Sequence, residues 1–250
     1  MLMTSKQQQS PQNTPSLFTR WFGSWNHWTT FEKSWLVLFT IINISVFFAV
    51  DDTILGLIIS LTGMVCVVMV AKGLIGNYLF GIVQVLLYGY LSYKYGLYGE
   101  AMLNLAFYLP TQFIGLWVWN KRKVTVKDTD EVITRKLTTL QATLLTVTAI
   151  GLIAGYAWLL SVIGGAEVRL DSATTVLSII AQILMIMRFR EQWLIWILVN
   201  ALSIVMWVFT LNGQDGTSWT VVVMWSAFLI NSVYGYWNWS RMAANQKEVV

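Results

Sequence analysis

The chain is poor in the residues that carry covalent and metal chemistry. Its 250 residues hold one cysteine, Cys66, and one histidine, His27. That inventory excludes a disulfide, a His/Cys metal cluster within the membrane and a Cys/His or Ser/His nucleophilic pair, and no cofactor is expected. Charge is scarce too, at 11% of residues against about a quarter in soluble domains. The carboxylates bordering the apolar segments, Asp51, Asp52, Glu100, Asp171 and Glu191, fall at segment ends, where they cap helices or meet headgroups. None is expected at mid-membrane depth, which removes the usual proton-coupling group and points to facilitated diffusion without a coupling ion. The same lack of acid, base and metal ligand disfavours an intramembrane enzyme. A signalling receptor is disfavoured by tails with no folded domain.

Apolar residues are abundant instead, 56% of the chain, with a mean hydropathy of +0.61. Apolar stretches at 35–50, 54–71, 75–93, 98–119, 137–163, 171–187, 191–210 and 217–239 are mostly close to the roughly 20 residues that a spanning helix needs. None alternates like a barrel strand, and backbone groups facing lipid must pair within their own segment. The expectation is an all-α integral membrane protein of about eight transmembrane helices. Residues 1–34 lack the basic start, apolar run and small-residue cleavage site of a secretory signal and read as a disordered tail. Within that tail, Trp21, Phe22, Trp25, Trp28 and Phe31 suggest an amphipathic segment in the headgroup zone. Of the sixteen Lys and Arg, all but Lys94 and Arg169 fall on one side of the helices, which makes both termini cytoplasmic and the protein a multi-pass one of the cell inner membrane. The net charge of +4 follows from this topology and needs no nucleic-acid partner.

Two segments end alike, in Gly115, Trp117 and Trp119 and, 120 residues later, in Gly235, Trp237 and Trp239, with Lys121 and Arg241 next. Interfacial aromatic anchors alone can produce such a pattern. Read as an internal repeat, it divides the chain into a tail (1–34), an extra helix (35–53), a first three-helix unit (54–120), a cytoplasmic loop and linker helix (121–165), a second unit (166–240) and a cytoplasmic tail (241–250). A single linker between three-helix units makes the repeats parallel, about an axis normal to the membrane.

Polar and aromatic residues recur at helical spacing. Trp193, Trp196, Asn200, Ser203 and Trp207 step by three and four. Comparable stripes hold Asn77, Gly81, Gln84 and Tyr88; Asn104, Tyr108, Thr111 and Gln112; Ser178, Gln182 and Met185; and Phe228, Asn231, Tyr234 and Gly235. Each could be interhelical packing. Together they suggest one uncharged chamber whose amides bind hydroxyls and a carboxamide and whose rings stack on flat or cationic groups. Pro110 interrupts one helix and offers a kink there.

The run from Lys72 through Asn77, Gly81, Gln84 and Tyr88, then Glu100, Asn104, Tyr108, Pro110, Gly115 and Trp117, and finally Trp193, Trp196, Asn200 and Trp207, resembles the PnuC family of bacterial vitamin transporters. The resemblance covers roughly 54–240. It implies a three-plus-one-plus-three arrangement similar to SWEET carriers, with the extra helix outside the minimal pattern. It also implies passive uptake of nicotinamide riboside, made one-way by cytoplasmic phosphorylation, with thiamine or another vitamin or sugar as the alternative cargo. Gln84, Tyr88, Asn104, Tyr108, Gln112, Trp196, Asn200, Trp207, Asn231 and Tyr234 are the expected substrate-binding residues. The oligomeric state is left open, a homo-oligomer included.

Overall fold

The computed structural model describes residues 16–95, 98–126, 129–162, 168–211 and 219–246; most of the expected tail, and the chain after 246, lie outside the described residues. A short helix α1 (Leu17–Phe22) and a 3-10 turn (Trp25–His27) lead into α2 (Thr30–Ala49), α3 (Ile54–Lys72) and α4 (Asn77–Lys94). Then come α5 (Tyr98–Met102), a π-helical turn (Leu103–Tyr108) and α6 (Leu109–Lys121), a hairpin of β1 (Lys123–Val126) and β2 (Thr129–Val132), and α7 (Thr139–Val162), α8 (Val168–Ile186), α9 (Gln192–Leu211) and α10 (Trp219–Asn245). Among the described residues, five helical stretches are long and apolar enough to cross a membrane: Thr30–Ala49, Ile54–Lys72, Glu100–Lys121, Thr139–Leu159 and Gln192–Phe209. Their outward faces are apolar, as on α7, where Leu140, Leu144, Val147 and Ile150 are exposed.

The helix ends follow local chemistry. At the start of α2, Thr29 and Glu32 form a reciprocal capping box, the Glu32 N–H donating to Thr29 Oγ1 (3.2 Å) and the Thr29 N–H to Glu32 Oε2 (2.7 Å). Helix α3 ends at Gly73 in the left-handed region (φ 77°), and the Leu74 N–H donates to Met69 O at 2.9 Å. Helix α8 ends the same way with Arg188 (φ 67°) in the glycine's place and the Phe189 N–H on Leu184 O at 2.9 Å. A non-glycine residue is strained there, and bonds on both sides hold it: Arg188 Nη1 donates to Ile133 O (3.0 Å) and the Arg135 N–H to Arg188 O (2.7 Å). The break expected at Pro110 is realised as the π turn just before it, because a proline without an N–H leaves the preceding turn free to widen.

Two departures from the expected layout lie on the face where the basic loops gather. The stretch after α6, expected as loop and linker helix, also holds a β-hairpin with Lys123 opposite Val132. Asp130 anchors it: its carboxylate is buried, paired with Lys123 at 2.7 Å and Arg20 at 3.2 Å and accepting from the Thr125 hydroxyl at 2.9 Å. Burial alone would raise this carboxyl, but the Lys123 ammonium, the Thr125 hydroxyl and the Arg20 guanidinium outweigh it and hold Asp130 below the ordinary carboxylate range. The second departure is the boundary of the amphipathic segment, which packs onto the bundle and gives way to α2 earlier than expected. The Gly76 N–H donates to Trp21 O (3.1 Å), Trp28 is buried under Lys72, and α2 begins at Thr30, ahead of the expected residue 35. The cause is Glu32, only 1% exposed, whose carboxylate pairs with Lys72 (3.1 Å) and accepts from the Tyr234 hydroxyl (2.8 Å).

Candidate functional site

Helices α3, α4, α8, α9 and α10, with α5, the π turn and α6, line a cavity of about 120 Å³, part of it open to the exterior. Of the residues expected to bind substrate, Gln84, Tyr88, Asn104, Tyr108, Gln112, Trp196 and Asn200 all line it. Ser178, Gln182, Met185, Trp193 and Ser203, read from the same stripes, line it as well. Several walls are fixed by side-chain bonds: between helices, Gln182 Nε2 donates to Thr111 Oγ1 (3.0 Å) and Asn200 Nδ2 to Ser232 Oγ (2.9 Å); within one helical stretch, Asn104 Nδ2 donates to Glu100 O (2.8 Å). Tyr108 and Trp196 stand 6.4 Å apart, ring to ring. Gln112 Oε1, packed against Gly81, and the Trp193 indole N–H, whose ring packs against Gly235, are buried and have no hydrogen-bond partner among the described residues.

Three expected residues are turned elsewhere. Trp207 is fully buried above the cavity, donating its indole N–H to the Tyr88 hydroxyl at 2.8 Å and thereby fixing that ring. Asn231 Nδ2 donates to Val67 O of α3 (2.9 Å), and Tyr234 reaches Glu32. The reason on α10 is rotational. Each step of three falls about 60° short of a full turn, so a stripe of 228, 231 and 234 winds off the face. The cavity face of α10 is Trp225, Phe228 and Ser232, at steps of three and four. The chamber also departs from the uncharged one expected, because Glu100, placed at a helix end by the sequence, lines it. Glu100 is the one formally charged side chain among the described lining residues.

The repeated motif backs the cavity wall at Val70, Met185 and Trp193. Gly115 and Gly235 make room for rings: a Cβ at Gly115 would fall on Tyr78, and one at Gly235 would stand 2.6 Å from Trp193. Trp119 and Trp239 are fully buried and donate crosswise, Trp119 Nε1 to Met185 O (3.2 Å) and Trp239 Nε1 to Val70 O (2.9 Å). The outer members, Trp117 and Trp237, are exposed, and the basic residue four positions on covers each face, Lys121 at 3.9 Å and Arg241 at 4.7 Å. Gly-x-Trp-x-Trp therefore encodes a ring socket, an outward anchor and an inward donor.

A bundle of apolar helices around an amide-and-indole cavity is the build of a membrane transporter for a small molecule. A family model described as nicotinamide mononucleotide transporter matches residues 53–241, and the chain belongs to that family of multi-pass membrane proteins. It is 43% identical over 223 residues to the nicotinamide riboside transporter PnuC of Neisseria mucosa, covering 88% of this chain and 84% of that one. It is 39% identical over 217 residues to the protein of the same name from Haemophilus influenzae, covering 86% and 92%. A crystal structure titled as the vitamin B3 transporter PnuC superposes with a TM-score of 0.82 at 42% identity, over 89% of this chain and 94% of the other.

Proposed function

We propose that the chain carries nicotinamide riboside across the bacterial inner membrane by facilitated diffusion, and that cytoplasmic phosphorylation of the riboside traps it. The carrying observation is the electrostatics of the cavity. The family description mentions a mononucleotide and the relatives' names a riboside, two molecules that differ by a phosphate. No Lys, Arg or His stands among the described lining residues, and a carboxylate does. A phosphate would be buried there without a cation and against a like charge, whereas a riboside needs only hydroxyl, amide and ring contacts.

In this reading Gln84, Asn104, Gln112 and Asn200 meet the ribose and carboxamide, Trp196 with Tyr88 and Tyr108 takes the ring, and Trp207, Asn231 and Tyr234 hold the walls. The architecture proposed is eight transmembrane helices, α2 outside and α7 linking parallel three-helix units, with both termini cytoplasmic. Its support is a set of matched positions: Val70 with Met185, Gly73 with Arg188, Tyr78 with Trp193, Gly115 with Gly235 and Trp119 with Trp239. The basic loops favour the orientation.

The test is uptake of labelled nicotinamide riboside into sealed liposomes holding only this protein. Saturable uptake that equilibrates without a proton or sodium gradient, and that nicotinamide mononucleotide does not compete away, is the expected result. Competition by the mononucleotide, uptake of thiamine in preference, or dependence on an ion gradient would overturn it.

A further inference from the structure

We propose that Glu100 is a specificity-determining residue, the carboxylate that selects a permanently cationic cargo ring. The inference rests on the riboside reading and adds the charge to it. A nicotinamide joined to ribose through its ring nitrogen is a pyridinium, positive at every pH. Moving such a cation from water into a chamber inside a bilayer is costly unless an opposite charge or ring faces receive it. Among the described lining residues the amides and rings are neutral, and Glu100 alone carries a formally charged group.

Its setting suits that task. Glu100 lies one turn before Asn104, whose Nδ2 donates to the Glu100 carbonyl at 2.8 Å and pins the turn that leads into the π-helical segment. The widened turn then presents Tyr108 beside Trp196, and Tyr88 faces the same space, so the carboxylate and the aromatic faces surround one volume. Ring faces alone attract cations weakly and stack on neutral rings as well, so they do not discriminate by charge. A carboxylate does: it favours the pyridinium, is indifferent to a neutral ring of the same outline and repels a phosphate.

The experiment compares nicotinamide riboside with its neutral 1,4-dihydropyridine form, nearly equal in shape, as substrates of liposomes containing the full chain. The unmodified protein should show a KM for the neutral form at least about tenfold higher, the worth of one interaction with a charged group. Glu100→Gln should raise the KM of the cation by about that factor and move that of the neutral form less than about twofold, while Glu100→Asp should keep the preference. Equal KM values for the two forms in the unmodified protein, or equal losses for both in Glu100→Gln with no recovery in Glu100→Asp, would overturn the assignment. If the unmodified protein carries neither form, the riboside reading itself fails, a result distinct from either of those.

Discussion

Replacing Lys72 by methionine tests whether the buried Glu32–Lys72 pair fastens the N-terminal helix. Lys72 is 9% exposed and Glu32 is 1% exposed. The ammonium donates to Glu32 Oε2 at 3.1 Å, to Oε1 at 3.4 Å and to His27 O at 3.0 Å. With the ammonium gone, the carboxylate keeps only the Tyr234 hydroxyl (2.8 Å) and its own capping bond from the Thr29 N–H (2.7 Å), two neutral donors for a buried charge. One-sided removal of a buried pair costs about 3–5 kcal/mol, and the long methionine keeps the packing, so this loss is mainly electrostatic. Removing both charges, in Glu32→Gln with Lys72→Met, leaves a neutral amide that still accepts from Tyr234 and should be close to neutral in stability. The double-mutant cycle should therefore show a coupling of at least about 2 kcal/mol. Unfolding of the purified protein in detergent, followed by tryptophan fluorescence, measures each corner. If Lys72→Met is no less stable than the double variant, the pair is not what secures this helix.

Three other outcomes follow from separate contacts. Gly235→Ala should destabilise by about 1–3 kcal/mol through overpacking, because its methyl meets Trp193, which is itself set edge-on to Trp239 at 6.0 Å. Gly155→Ala, with nothing within 4 Å of the new methyl, should be neutral or gain about 0.5–1 kcal/mol from helix propensity, and thermal melts of the pair separate the two cases. The Asp130 carboxyl is held below its unfolded value of about 3.9, so its contribution is complete above that value and is lost as pH falls through the lower native one. Amide exchange in the hairpin should accordingly accelerate only in strong acid, and Asp130→Asn should accelerate it at neutral pH. A uniported cation also responds to voltage: an inside-negative potential of about 60 mV is worth about 1.4 kcal/mol per charge and should drive accumulation about tenfold, read with a potassium diffusion potential in liposomes.

How much was legible in the sequence differs by element. The long apolar runs mark their helices to within a few residues because a backbone in lipid has no alternative to internal pairing. The stripes on α4, on the helix around Pro110 and on α9 lead to cavity residues because amides and aromatics at steps of three and four must share a face. On α10 the reading followed successive threes and wound past Ser232 to Asn231 and Tyr234. Trp207 lies on the right face of α9 but one turn beyond the end of the chamber. Glu100 stands near a helix end, where a carboxylate reads as a cap, although a helix end can itself be a cavity wall when its neighbours extend further. Thr29 and Glu32 have the spacing of a capping box in plain view, but nothing local reveals that the same carboxylate also meets Lys72 and Tyr234, which lie 40 and 202 residues away. The hairpin was hidden because Val124 and Val126 sit in a short charged stretch whose pairing depends on Asp130.

Ring sockets and buried indole bonds of the same kind stand at Gly115 with Trp119 and at Gly235 with Trp239, yet the seams between the helices are not fastened alike. Helix α2 spans the junction of α3 and α10 and is bonded near both of its ends. At one end Glu32 joins Lys72 of α3 and Tyr234 of α10. At the other, Asn43 Oδ1 accepts from the Ser60 hydroxyl of α3 at 2.6 Å, and Asp52, just past the helix, accepts from the Thr220 N–H of α10 at 2.8 Å. The junction of α6 and α8 carries Gln182 on Thr111 and Trp119 on Met185, and α2 is bonded to neither helix in any of these contacts. Buried, charged and multiply bonded contacts resist opening more than single neutral ones do, so α2 makes the seam of α3 with α10 firmer than that of α6 with α8. The effect of α2 is thus structural: it stiffens the contact between α3 and α10, and none of these bonds reaches the cavity-lining side chains of α4, α8 and α9.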